Sequence, residues 1–201
     1  FRSLNTSYHR IQDMLPEGAE STRKMAHQMG VTAPLGEEDG STTPSIVLGT
    51  YGTSPVDMAA GYATLAADGV HRQQHIVEEV ISRFDNSLYT TKIEDERVLT
   101  VPQSQEIHNA LAPIADYSNN NGLAYRQGYM KTGTVQRGTG SSTGANRDAW
   151  SVGYTTGDGS MSTAVWVGSD DGRAIRDVYG RDIWGANLPS EVWKQIMDQI
   201  S

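Results

Sequence analysis

The chain contains no cysteine, which removes disulfides, thiol nucleophiles and thiolate metal ligands from consideration. That absence leaves the compartment open, because an exported protein can also lack cysteine. Basic residues are the minority, 16 Lys and Arg against 24 Asp and Glu, for a net charge of −8. No basic run suited to neutralising phosphates interrupts this balance, so nucleic acid is not an expected partner. No apolar stretch approaches the roughly 18 residues of a membrane span, and no signal-peptide pattern opens the sequence. An initiator Met is missing too: Phe1-Arg2-Ser3-Leu4-Asn5 runs directly into helix-like sequence, which predicts a fragment or a processed chain. The 201 residues suffice for one domain with a real core, whereas two compact domains would be crowded.

Apolar spacing through Leu4, Tyr8, Ile11 and Leu15 predicts a helix over 4–15, stopped by Pro16. A second helix is expected over 18–29, ended by Gly30, followed by a Gly/Pro/Thr-rich loop over 33–53. Ser54-Pro55-Val56-Asp57 has the features of a helix start: a capping hydroxyl, proline in the first turn and a carboxylate three residues on. That helix runs to Gly69. Strands are expected at 75–82 and 87–93, and a helix from Pro102 to Asp116 with a kink at Pro113. Three strands follow, over 128–135, 149–155 and 162–168, and then an amphipathic helix over 190–200 with Val192, Trp193 and Ile196 on one face. The plan is α+β, a mostly helical part over 1–125 and a three-strand meander with a final helix over 126–201.

The chemistry-bearing signal is Lys131-Thr132-Gly133-Thr134. A Lys-Thr/Ser-Gly tripeptide arises by chance in roughly one chain in ten of this length, and gains meaning only with Ser-x-x-Lys and Ser-x-Asn companions, which supply a nucleophile and a proton relay. One complete set is present: Ser21-Thr22-Arg23-Lys24, Ser118-Asn119-Asn120 and Lys131-Thr132-Gly133. The i, i+3 spacing puts Ser21 and Lys24 on one helix face. Glu17, Glu20, Arg23, His27 and Gln28 surround them, however, and a solvated face does not depress a lysine pKa. Ser118 lies in the all-polar loop "DYSNNNG", too close to the strand to form an opposing wall. The second set is Ser3-Leu4-Asn5 with the same Lys-Thr-Gly, and it lacks a Ser-x-x-Lys. Taken alone, Lys131 reads equally well as a lysine guarding a sheet edge, and Ser3 and Asn5 as ordinary helix caps.

The segments "SLNTSY", "PSIVLGTYGTSPVDMAAGYATLAADG", "YMKTGT" and "RDAWSVGYTT…STAVWVG" resemble, in order and over nearly the whole chain, the transpeptidase domain of class A penicillin-binding proteins. The block from Pro44 to Gly69 is the most specific of them. The resemblance implies the penicillin-binding protein and serine β-lactamase-like fold, an antiparallel sheet flanked by helices, incomplete in this chain. It also implies a nucleophile-bearing Ser-x-x-Lys helix and two further strands encoded before Phe1. By the same resemblance, Ser3 relays a proton and Asn5 bonds the donor amide. Lys131 adds positive potential, and the Thr132 and Thr134 hydroxyls hold the substrate carboxylate. The Thr134 N–H forms half of an oxyanion hole. Gly133 keeps the strand open to close approach. The implied reaction is D,D-transpeptidation of peptidoglycan stem peptides at the outer face of the bacterial cell membrane, inhibited by β-lactams. The alternatives are a D,D-carboxypeptidase and a non-catalytic penicillin-binding module. Implied partners are stem peptides, β-lactams and a second polypeptide carrying Ser-x-x-Lys. Ser151 stands where the family often has an aromatic.

Other candidates are weaker. His71 and His75 have helical metal-pair spacing but lack the Glu of His-Glu-x-x-His and follow a helix stop, so no metal and no cofactor is expected. "GTGSSTG" lacks the Gly-Lys-Ser/Thr of a phosphate loop. Trp150, Trp166 and Tyr154 read as core. Glu37 and Glu38 are the only nearby acidic loop pair and do not resemble the deacylating glutamate of a β-lactamase.

Overall fold

The computed structural model describes residues 3–138 and 145–200. Two helices come first, α1 (Asn5–Asp13) and α2 (Ala19–Gln28), and they hold a short 3-10 turn, Pro44–Leu48. Gln12 is the polar rivet between them. Its Nε2 donates to Pro44 O at 2.8 Å and its Oε1 accepts from Thr22 Oγ1 at 3.0 Å, so a fully buried amide is satisfied at both ends. That turn falls inside the stretch expected to be loop throughout.

Helix α3 (Pro55–Ala66) begins where the sequence places it, with Ser54 and Asp57 in a reciprocal capping box. Asp57 also accepts from Thr32 N at 2.8 Å and Thr32 Oγ1 at 2.6 Å. Burial opposes ionisation of this carboxyl, but the bonds from Thr32 and Ser54 outweigh it and hold the pKa at about 2. The helix start is thereby tied to the preceding loop.

Strand β1 (Val70–Arg72) pairs antiparallel with β4 (Asp95–Arg97), and between them the hairpin of β2 (Glu79–Ile81) and β3 (Ser87–Thr90) projects with its side chains exposed. The β1–β4 ladder is absent from the sequence reading. Its strands are only three residues long and polar apart from Val70, and an Arg72–Asp95 ion pair at 2.7 Å crosses it. The expected helix around Pro113 is two: α4 (Val101–Leu111), capped by Thr100 and Gln103, and α5 (Ile114–Tyr117), with Pro113 at its N-cap.

The main sheet is β5 (Tyr129–Gln136), β6 (Asn146–Tyr154) and β7 (Ser162–Gly168), antiparallel in the order β5-β6-β7. Helix α6 (Leu188–Ile200) covers one face. There Trp193 and Met197 pack with Met130, Ile114 and Ala115, and Val165 joins them. Gly153 is required at that contact, because a Cβ would come within 2.7 Å of the Trp193 ring and 2.6 Å of Tyr129 O. Helix α3 covers part of the opposite face, and Ser162 Oγ donates to Ala59 O at 2.8 Å across the seam.

Val152, Val165 and Val167 do not share a face. Register pairs Ser151 with Val165 and Ala149 with Val167 on the α6 side, while Val152 pairs with Ala164 on the α3 side. The period-two alternation of a strand separates residue 152 from 151. Val167 is covered by Ile175 and Ile183, from the segment leading into α6. The fold is that of an α+β domain in which helices flank an antiparallel sheet.

Candidate active site

Beside α3 the sheet is uncovered, and a cleft of about 520 Å³ opens there. One wall is β5 from Lys131 to Val135, its floor is Trp150, Val152 and Trp166, and the other wall is Thr50–Thr53 with Pro55, Met58 and Tyr62 of α3. Strand β5 is the edge of its sheet among the described residues, so its outer backbone is open to a ligand lying alongside.

Lys131 and Gly133 pair with Val152 and Trp150 and share their cleft-facing side; Thr132 and Thr134 pair with Ser151 and Ala149 and face the α6 side at the strand edge. The Lys131 ammonium is half-buried, donates to Thr132 O at 2.7 Å, and has its pKa pushed down by burial. A cation held in partly dry surroundings gives up a proton more readily than one in water. A Cβ on Gly133 would lie 3.4 Å from the Trp150 Cβ, narrowing the cleft where the strand is most accessible. The Thr134 hydroxyl oxygen accepts from Gly185 N at 3.0 Å. Across the cleft, Thr53 Oγ1 is buried without a hydrogen-bond partner among the described residues. Such a group is a natural ligand contact. Burial, with Tyr8 second, pushes the Tyr62 phenol up to about 12.

The structure therefore brings Lys131, Thr132, Gly133 and Thr134 into one cleft and does not bring Ser3 and Asn5 to its lining. Both are exposed, Asn5 opening α1 and Ser3 preceding the Leu4 N-cap in the left-handed region at φ 51°, which a non-glycine residue seldom occupies. Tyr8, one turn beyond Asn5 and on the same helix face, is within electrostatic reach of Tyr62. No residue of α1 lines the cleft.

The competing constellation separates. Lys24 Nζ pairs with Glu17 at 2.5 Å, a bond that raises its pKa, and Ser21 Oγ accepts from Glu17 N. A lysine so held keeps its proton more firmly and is less available to take one from Ser21. Ser118 caps α5, and its carbonyl accepts from Asn121 Nδ2 at 2.7 Å. His71 is on β1 and contacts Thr64, His75 is beyond the strand, and no metal-ligating group of three occurs among the described residues. Glu37 accepts from Tyr51 OH at 2.9 Å, and neither Glu37 nor Glu38 lines the cleft. Most of the Gly/Ser/Thr loop at 138–145 lies outside the described residues.

Trp150 and Trp166 correct the expectation of a core role. Their rings, 6.2 Å apart on paired positions, form the cleft floor, and Trp166 is 41 % exposed. Only Tyr154 is core, stacked with Tyr129 and packed against Tyr62 and His108. Alternation shows which residues share a strand face but not whether that face is covered. The Thr50–Thr53 wall was visible only as part of the Pro44–Gly69 block, and Gly185 gave no signal at all.

Comparison with known proteins places this geometry. The family model described as penicillin binding protein transpeptidase domain matches residues 2–184. Penicillin-binding protein 1A of Mycolicibacterium smegmatis is 41 % identical over 98 % of the chain, and that of Mycobacterium tuberculosis 40 % over 98 %. The chain spans about a quarter of those relatives, 26 % and 25 % of their lengths. The structure of M. tuberculosis PonA1 in complex with penicillin V superposes with a TM-score of 0.88 at 39 % identity, over 98 % of this chain and 53 % of that one. PBPA of M. tuberculosis, at 18 % identity and a TM-score of 0.71, shares the fold. A cleft edged by Lys-Thr-Gly-Thr on β5, a matching family model over most of the length and relatives at about 40 % identity agree: the chain belongs to the penicillin-binding protein transpeptidase domain family, among its class A members.

Proposed function

We propose that this domain catalyses D,D-transpeptidation of peptidoglycan stem peptides, with Lys131, Thr132, Gly133 and Thr134 as the substrate-carboxylate side of the site. A serine supplied by polypeptide outside these 201 residues attacks the carbonyl of the penultimate D-Ala. An ester forms, the peptide bond breaks, and the terminal D-Ala leaves with a proton on its nitrogen. The amine of a second stem then attacks the ester, forming the cross-link and returning a proton to the serine.

Lys131 supplies positive potential toward the terminal carboxylate and, with its ammonium partly desolvated, takes part in the proton relay. Thr132 and Thr134 donate to the carboxylate, and the Thr134 N–H is one half of the oxyanion hole, placed where charge develops. Ser3 passes the proton to the leaving nitrogen and Asn5 holds the donor amide. Bringing them to the cleft requires α1 to be fixed by the nucleophile-bearing segment. β-Lactams acylate the same serine; the complex of a relative with penicillin V supports this. The site lies at the outer face of the bacterial membrane; no described helix is long and apolar enough to span one.

The observation that carries the proposal is the half-buried Lys131 beside Thr132 and Thr134 on an open strand edge. In the full-length protein, Lys131→Ala or Thr132→Val should slow covalent labelling by fluorescent penicillin by about 10²–10³, the usual loss for one such contact. Ser21→Ala should leave labelling intact. Abolished labelling in the Ser21 variant would make the α2 serine the nucleophile and end this assignment.

A further inference from the structure

Ser151 departs from the aromatic that the family often carries and is fully buried on the α6 side of β6. Its surroundings explain the polarity. Ser190, the third residue of α6 and likewise fully buried, lies 3.3 Å away hydroxyl to hydroxyl. Ser190 Oγ also donates to Gly185 O at 2.6 Å. A hydroxyl has one proton, and a carbonyl can only accept. The Ser190 proton is therefore directed chiefly at Gly185 O, the shorter contact, and Ser151 Oγ accepts from the same hydroxyl more weakly at 3.3 Å. On the other side of the same residue, the Gly185 N–H donates to Thr134 Oγ1 at 3.0 Å.

The turn carrying Gly185 is pressed onto the sheet. A Cβ there would lie 2.5 Å from Gly133 O and 2.6 Å from Trp150 O, so only glycine brings its N–H to Thr134 at this distance. Asn187 braces the turn by accepting from Trp184 N and Leu188 N, both at 2.8 Å. Asn121 Nδ2 donates to Ala186 O at 3.3 Å. Every residue of the turn from 184 to 188 thus makes at least one hydrogen bond.

We infer that the Ser151–Ser190–Gly185 chain is a positioning device that orients the Thr134 hydroxyl. The inference rests on the reading of Thr134 as a carboxylate-binding residue. Gly185 N–H occupies one lone pair of Oγ1, so the Thr134 O–H points away from the turn and is available to an anionic acceptor at the exposed strand edge. Without that bond a threonine hydroxyl can rotate and spend its proton on a nearby backbone carbonyl. Ser190 and Ser151 do not touch substrate; they anchor the Gly185 carbonyl, and through the backbone of that residue they restrain the preceding peptide, whose N–H meets Thr134.

The test uses the full-length protein and compares acylation by a penicillin carrying its free carboxylate with acylation by its methyl ester. Thr134→Val, Ser190→Ala and the double variant are measured, with Ser190→Thr as the conservative control. Ser190→Ala should slow acylation by the acid about 3- to 10-fold, the effect of misplacing one hydrogen bond, and leave the ester rate unchanged. In the Thr134→Val background it should cause no further loss, and Ser190→Thr should restore the rate. Equal slowing of acid and ester, an additive effect in the double variant, or no effect at all would overturn the inference. Should Ser190→Ala fail to fold, Ser151→Ala in the same acid–ester comparison decides it, with a smaller loss confined to the acid expected. If Thr134→Val itself leaves acid acylation unchanged, the carboxylate-binding reading of Thr134 has failed. A normal Thr134 effect with an uncoupled Ser190 removes only the positioning role.

Discussion

A lysine in water holds its proton far above neutral pH, and Lys131 is not fully in water. Its stem lies against β5, its ammonium donates to Thr132 O, and burial lowers its pKa. Both proposed roles, electrostatic attraction and proton relay, are compatible with that environment, and one substitution separates them. Arginine keeps the positive charge but does not deprotonate in proteins. Lys131→Arg should therefore retain penicillin affinity to within a few-fold while acylation slows by about 10², as expected for loss of a positioned proton carrier. Stopped-flow separation of binding from acylation checks this; an unchanged acylation rate would leave Lys131 as a charge only. The Lys-Thr-Gly-Thr tetrapeptide was legible as sequence because its chemistry is carried by side-chain type and spacing. The contribution of Gly185 was not, since a close approach between residues 133 and 185 leaves no mark on the local pattern of either.

At the scale of elements, the parts read correctly are those whose cause is local. The α3 start is encoded in Ser54, Pro55 and Asp57, and all three act as the sequence predicts. The β1–β4 ladder and the cleft-facing side of β6 depend on distant partners, and there the pattern misleads. Asp57 links both kinds, being a local cap that Thr32 also engages from 25 residues away. Its pKa of about 2, against an ordinary 3.8, means the folded state favours the ionised form. The stabilisation is fully present above about pH 4 and is lost as pH falls through 2. Asp57→Asn in the full-length protein should lower the stability of this domain by about 2 kcal/mol at neutral pH. The gap should close between pH 4 and 2, read by urea unfolding across that range. A constant gap would show that the carboxylate charge is not what the Thr32 and Ser54 bonds stabilise.

At the scale of the whole molecule, the sheet is finished on one face and open on the other. The α6 face is packed around Trp193 and Met197, whereas the cleft side presents Trp166 at 41 % and Leu48 at 43 % exposure. Apolar area left wet forgoes about 25 cal/mol per Å², and a few hundred Å² of it rivals the 5–15 kcal/mol that keeps a domain folded. Among the described residues, no serine of a Ser-x-x-Lys lines the cleft. On the proposed function, a helix-bearing segment carrying Ser-x-x-Lys and laid against Trp150, Val152 and Trp166 would meet this deficit. These 201 residues expressed alone should therefore bind a hydrophobic dye strongly and unfold without a sharp transition. Co-expressed with the segment that precedes them in the full-length protein, they should lose that dye binding and migrate as one complex in native mass spectrometry. Penicillin should then label the partner piece and not this one. A stable, cooperatively unfolding monomer of these residues that takes the label itself would refute both the completed-cleft proposal and the placement of the nucleophile.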